Sequence, residues 1–324
     1  MNFLKRFFIT ILFPLIVFLV MLVITRMKGV TYYGFTFDMW RTVLLRTSST
    51  AIAALAIWLQ VKNGRFDFSG GAVMVLSCIL AGNICVTAGL GAVPYLLLCI
   101  VIAIILCVIT SLIYIYGRLP IMICTIGVAL LYESVTYLVY EARGLNILSR
   151  TDITIFGRMP YILVILALAL VVFCVYNYKM VAGTRSKLLS SNQQAAVNIG
   201  INEPKNIIQT FIVCGFLLGC AACIHGSNNT VAPQAGLSTA NTLFSNIIPA
   251  YMGMFVGMAS VDAVGVVIAA LAMEILNYGL SCIGLGAGGW QQIIVGTFML
   301  AFYAFTAQLP RIKAAKARKA RLAA

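Results

Sequence analysis

Acidic residues are nearly missing from this sequence: eight Asp and Glu stand among 324 residues, against 22 Lys and Arg. With a single histidine as well, the chain has no second imidazole for a zinc site and no paired carboxylates in a soluble segment for acid–base chemistry. Walker-type and nucleophile-elbow sequences are absent too, which argues against an enzyme. No cofactor is expected on this chain, and any energy source must lie on another chain or in an ion gradient. Charged residues amount to only 9% of the whole while hydrophobic ones reach 62%, with mean hydropathy +1.03. That balance excludes a water-soluble domain.

What the chain has in abundance is long apolar runs. About 17 to 25 apolar residues cross the hydrocarbon core as a helix, and ten windows meet the need, near residues 7–25, 43–61, 71–89, 93–116, 120–140, 160–178, 207–227, 244–259, 262–284 and 290–309. The expected fold is therefore all-α, a polytopic membrane bundle, with residues 1–310 as one transmembrane domain and 311–324 as a basic tail. The first window follows Lys5 and Arg6, but it is long for a secretory signal, and no small-residue cleavage site follows Thr25. It reads as a retained span. The window 71–89 is the weakest, interrupted by Gly82 and Asn83.

Basic residues mark the cytoplasmic side of short loops. With both termini inside, that side holds Lys5, Arg6, Lys62, Arg65, Arg118, Lys179, Arg185, Lys187, Lys205 and six tail residues from Arg311 to Arg321, leaving seven of the 22 outside. The segment 179–206 then lies in the cytoplasm, and Tyr32, Tyr33, Phe35, Phe37 and Trp40 suit an outer interfacial belt. The densest cluster behind the net charge of +14 lies in the tail directly after the last span, where anionic lipid is its natural partner and nucleic acid is not.

Several features invite chemistry and are better explained by packing. Nine of the ten cysteines fall within apolar windows and Cys282 near the end of one, and Cys220 and Cys223 have no polar neighbour to activate a thiol. His225 stands alone, facing the outer boundary or a polar cavity. Gly284 to Gly289 is a turn, since no strand precedes it. Intramembrane carboxylates weigh more. Glu133 reads as an acid hydrogen-bonded to a neighbouring helix, whereas Glu274, with Asn277 and Tyr278 on its helix face, is as well suited to a pathway or proton-relay role as to being such a hydrogen-bonded acid.

The polar stretch Ser190 to Pro204 is an island among these runs. Asn192 is a good N-cap, Gln193 to Ile199 makes about two turns, Gly200 supplies a left-handed stop, and Pro204 prevents continuation. Ala195, Ala196 and Ile199 form a small apolar face able to seat in a groove of a soluble partner.

This loop, Ser190-Ser-Asn-Gln-Gln-Ala-Ala-Val-Asn-Ile-Gly-Ile-Asn202, resembles a segment of the permeases of bacterial ABC importers of the ribose, galactose and xylose group, matching at Asn192, Ala195, Ala196, Gly200, Ile201 and Asn202. Three further pieces resemble that family in order: Arg65 to Gly71 through Asp67, Ser69 and Gly71; Ala232 to Gly236; and Leu276 to Leu280 with Trp290 to Ile293. The resemblance implies an inner-membrane permease for a monosaccharide or related solute. It implies ABC ATPase subunits, carrying ATP and Mg, docked on the loop through Ser190, Asn192, Ala195, Ala196, Gly200 and Ile201. An extracytoplasmic solute-binding protein and a second permease, identical or homologous, complete the implied assembly. Glu274, Asn277, Gln291 and Gln292 are the candidate pathway groups. Departures from the family include Arg65 in place of a glycine, Ser190-Ser191 in place of a glycine pair, and a glycine-poor Gly253–Gly265 stretch. The alternatives are a nucleoside permease of the same kind and an ion-coupled secondary transporter using Glu274.

Overall fold

A computed structural model describes residues 3–258, 260–286, 292–298, 300, 301 and 304, with side chains from residue 10 onward. The helices are α1 (Phe3–Met27), α2 (Phe37–Lys62), α3 (Gly70–Ala88), α4 (Ala92–Gly117), α5 (Ile121–Leu138), α6 (Tyr161–Cys174), α7 (Val181–Ser191), α8 (Gln193–Asn198), α9 (Glu203–Asn228), α10 (Ala240–Gly257) and α11 (Asp262–Cys282). Among the described residues eight helices are long and apolar enough to cross a membrane: all but α7, α8 and α10. The fold is all-α and polytopic. The tenth expected window and the basic tail fall largely or wholly outside the described residues.

The chain forms two compact units, a central one over Arg41–Leu271 and a terminal one from the residues up to Trp40 and from Ala272 onward. In the terminal unit Tyr33 is fully buried, stacks on Phe18 at 5.9 Å, and donates its hydroxyl to the Ile275 carbonyl at 3.2 Å. This corrects the interfacial belt, because Tyr33 is an internal packing residue while Phe35 and Phe37 remain exposed. Arg26 lies over the Phe35 ring at 5.0 Å.

In the central unit α4 shows how a membrane bundle inverts the usual amphipathic rule. Its exposed face is a row of large apolar residues, Val93, Leu97, Val101, Ile105 and Ile109, whereas the buried face carries Cys99, Ala103, Cys107 and Thr110. Bulky apolar groups outward and small groups inward suit lipid on one side and close backbone approach on the other. The partner is α9, whose Gly215 and Gly219 meet it so tightly that a Cβ on Gly219 would lie 2.5 Å from the Ile100 Cα, and one on Gly215 2.7 Å from the Ile104 Cα. Cys220 and Cys223 are buried on the same helix, and all ten cysteines are free thiols. A second close crossing joins α10 and α11, where a Cβ on Gly253 would lie 2.6 Å from the Val266 Cα. The glycines retained in this glycine-poor stretch stand where backbones touch.

The weakest expected span, 71–89, holds as α3, while one boundary differs from the sequence reading. Helix α3 is continuous through Gly82 and Asn83, which receive a loop: Gly82 faces Leu145, and the Asn83 amide donates to the Gly144 carbonyl at 2.9 Å. Helix α10 begins at Ala240 rather than 244, with a polar first half. The segment 179–206 also holds a whole helix, α7, ahead of the short one expected there.

Candidate functional site

A polar cavity of about 330 Å³ opens in the central unit, lined by Ser49, Thr50 and Ala53 of α2, Met74 of α3, His225 of α9, and Asn241, Thr242, Ser245 and Asn246 of α10. The α10 residues recur at i, i+1, i+4 and i+5, so one helical face supplies four hydrogen-bonding side chains. That face explains why the first half of α10 is too polar to qualify as a span. His225 is half-buried, with the Asn229 amide 3.5 Å from its Nδ1. Among the described residues, no Asp, Glu, Lys or Arg lines it. Its volume lies at the lower end of the roughly 300–1,000 Å³ typical of small-molecule sites.

The entry to α10 is held by Glu133. This α5 residue is 1% exposed, and its two carboxylate oxygens accept from the Leu237 amide at 2.7 Å, the Thr239 amide at 2.8 Å and the Thr239 hydroxyl. One turn on, Thr136 Oγ1 accepts from the Gln234 amide at 2.9 Å. The preceding backbone is pinned by paired bonds between Leu145 and Val231, at 2.7 and 2.9 Å. Glu133 is thus the hydrogen-bonded acid expected of it. It holds a loop, however, and not a neighbouring helix.

At the opposite ends of α2 and α9 stands the loop 179–206. The Asn192 side chain accepts from the Ala195 amide at 3.0 Å, and Gly200 adopts φ +90°, where a side chain would be strained. Around α8, Ser190, Asn192, Ala195 and Ile199 are exposed, Ile201 is half-buried, and Ala196 is only 3% exposed. The exposed apolar residues are therefore Ala195, Val197 and Ile199, of which Ala195 and Ile199, four apart, lie on one side; Ala196 packs inward. A buried network fastens α7 to α9: Tyr176 and Thr210 share a hydrogen bond at 2.7 Å, Ser186 donates to Asn206 Oδ1 at 2.9 Å, and Asn206 donates to the Ala182 carbonyl at 2.9 Å. Gln193 of α8 donates to both carboxylate oxygens of Glu203 at 2.9 Å, and Glu203 pairs with Arg65 at 3.6 Å. Burial pulls the Arg65 pKa below its ordinary value, partly opposed by Glu203.

The Arg65–Gly71 motif forms the turn between α2 and α3. Asp67 accepts from the Ser69 amide and hydroxyl, each at 2.7 Å, and burial raises its pKa against those bonds. Gly71 sits against the Thr239 carbonyl at 2.5 Å from where a Cβ would be. Of the pathway candidates, Glu274 is buried and Asn277 half-buried on α11 in the terminal unit, Gln292 is exposed, and Gln291 lies outside the described residues. The cavity is built from a different set. Its signal was present in the sequence as the spacing of Asn241, Thr242, Ser245 and Asn246 beside an apolar run.

A polytopic bundle of apolar helices with an open polar cavity among them is the arrangement of a membrane transport protein. The chain belongs to the family described as branched-chain amino acid transport system / permease component, whose model matches residues 39–303. It is a permease subunit of an ABC transport system. Among curated proteins it is similar to the ribose import permease protein of Escherichia coli (strain K12), 24% identical over 270 residues that cover 81% of this chain and 83% of that protein. The ribose import permease protein of Bacillus subtilis (strain 168) is 23% identical over 265 residues, 80% of this chain and 81% of the relative. No solved structure matches.

Proposed function

We propose that this chain is the transmembrane subunit of an ATP-driven importer that moves a monosaccharide, or a solute of like chemistry, inward across the cytoplasmic membrane. The family description speaks of branched-chain amino acids and the relatives of ribose. The cavity favours the second. A zwitterionic amino acid leaving water needs partners for an ammonium and a carboxylate, and the lining offers Ser, Thr, Asn and one His but no residue of fixed charge. Hydroxyls and amides that both donate and accept match a neutral polyol.

In this reading both termini and the loop 179–206 are cytoplasmic, and the outward face of α8 docks an ATPase that carries ATP and Mg. A solute-binding protein delivers the cargo on the other side, and a second permease, identical or homologous, completes the pathway. Proteoliposomes holding the permease with the ATPase and binding protein of its transport system test this. Radiolabelled ribose should accumulate with ATP and leucine should not. Asn246→Leu should reduce ribose uptake about 3- to 10-fold, the worth of roughly one lost hydrogen bond. Uptake of leucine in place of ribose would overturn the substrate assignment. Ribose uptake that survives ATP depletion and fails with a collapsed proton gradient would replace the mechanism with ion-coupled transport.

A further inference from the structure

Three of the four helices that line the cavity converge on one ion pair, buried on its arginine side and partly exposed at Glu203. Ser49, Thr50 and Ala53 lie on α2 and Met74 on α3, and Arg65 sits in the turn that joins these two helices. His225 lies on α9, and Glu203 is the first residue of that helix. The Arg65–Glu203 contact at 3.6 Å therefore ties the α2–α3 turn to α9 at the end remote from His225, about 33 Å away along α9 at 1.5 Å per residue. Gln193 places both of its contacts on the same carboxylate, so the first turn of α8 joins the pair as well.

The pair is not a solvated surface bridge. Arg65 is 6% exposed, and among the described residues its Nη1 has no hydrogen-bond partner, while Gln60 and Asn63 near the end of α2 also hold buried atoms with none. A buried guanidinium with one acidic partner is costly to separate from it. Movement of Glu203 must then carry Arg65 along or leave a buried charge unpaired. That is the property of a linkage, in contrast to the exposed pair of Glu141 and Arg143, whose partners are free to part.

We propose that Arg65 is a positioning residue that transmits displacement of α8 to the cavity wall, by holding the α2–α3 turn to Glu203 while Gln193 holds α8 to the same carboxylate. The proposal rests on the reading of α8 as the ATPase contact. Arg65 touches neither solute nor nucleotide.

The test uses the full transport complex, with Ser245→Cys as a reporter, because Ser245 is an exposed cavity residue. A small hydrophilic maleimide measures the labelling rate in the nucleotide-free complex and in the complex trapped with ATP and vanadate. With Arg65 present, the rate should differ between the two states. In Arg65→Met the difference should be lost while basal ATP hydrolysis and co-purification of the ATPase remain. The exchanged pair Arg65→Glu with Glu203→Arg should restore it, which assigns the effect to the pairing, while retained ATP hydrolysis and ATPase co-purification in Arg65→Met separate it from a merely structural role. Should Arg65→Met fail to accumulate in the membrane, Arg65→Lys and Glu203→Gln make the same comparison: Lys keeps the difference and Gln loses it. A full difference in Arg65→Met, or in Glu203→Gln, overturns the linkage. No difference in the otherwise unaltered complex would instead count against α8 as the site where the ATPase drives the permease, so the two failures are distinct.

Discussion

Removing the Glu133 carboxylate should loosen the entry to α10, and the size of the effect follows from its three donors. In Glu133→Ala the Leu237 amide, the Thr239 amide and the Thr239 hydroxyl all lose their acceptor, at a site where the parent side chain is 1% exposed. Each buried donor left unpaired costs about 1–3 kcal/mol. Thr239 is buried and its hydroxyl is free to rotate to another acceptor, and Leu237 is half-buried and reachable by water, so the sum falls to roughly 3–5 kcal/mol. Glu133→Gln separates charge from geometry. Its single oxygen can serve both Thr239 donors, which leaves its NH₂ facing the Leu237 amide and costs about 1–3 kcal/mol for that one lost bond. Leu237 has φ +64°, an unfavourable conformation for a branched side chain, so this residue should relax first. The assay is thermal unfolding of the purified protein in detergent, followed by tryptophan fluorescence, with the parent most stable, Gln intermediate and Ala least. Stability of Glu133→Ala equal to the parent would refute the reasoning, as would a Gln variant as weak as the Ala variant.

Two further outcomes concern the loop and the helix seam. Ile199→Arg, at the exposed residue that ends α8, should leave stability within about 0.5 kcal/mol yet abolish co-purification of the ATPase; Ala196→Arg, at a buried position, should fail by misfolding, seen as loss of the monodisperse peak on size exclusion. Gly219→Leu should prevent folding, because even its first carbon would stand 2.5 Å from the Ile100 Cα, and Gly219→Ala should cost about 1–3 kcal/mol in the same unfolding assay.

Hydropathy made most of the bundle legible because a span must be apolar over its full length. It misplaced the start of α10 for the same reason: Asn241, Thr242, Ser245 and Asn246 lower the average of a helix whose other residues are apolar, so its polar half reads as loop. Periodicity, which records the face and not the mean, is the signal that retains them. Asn83 only weakened the window 71–89, which holds as a span, since its amide serves a backbone carbonyl 61 positions along the chain, a partner no local window contains. The capped helix at 193–198 was legible because Asn192 and Gly200 act through neighbouring backbone, whereas Pro204, expected to prevent continuation, stands in the first turn of α9. Which of its residues face outward was not, because burial of Ala196 depends on what the whole loop packs against. The same limit applies to Arg65, whose partner Glu203 is distant in sequence and whose charge the resemblance marked only as a departure.

The seam between α4 and α9 has a consequence for how this sequence tolerates change. On a soluble protein, polarity is the first filter on substitution; on these two helices, volume is. At Leu97, Val101 or Ile105 any large apolar side chain meets lipid and serves equally. At Cys99, Ala103 and Gly219, small groups set against another backbone, a serine is closer to the native residue than a leucine is. A substitution profile ordered by hydrophobicity would rank these positions backwards, and one ordered by side-chain size would recover the interface without a structure.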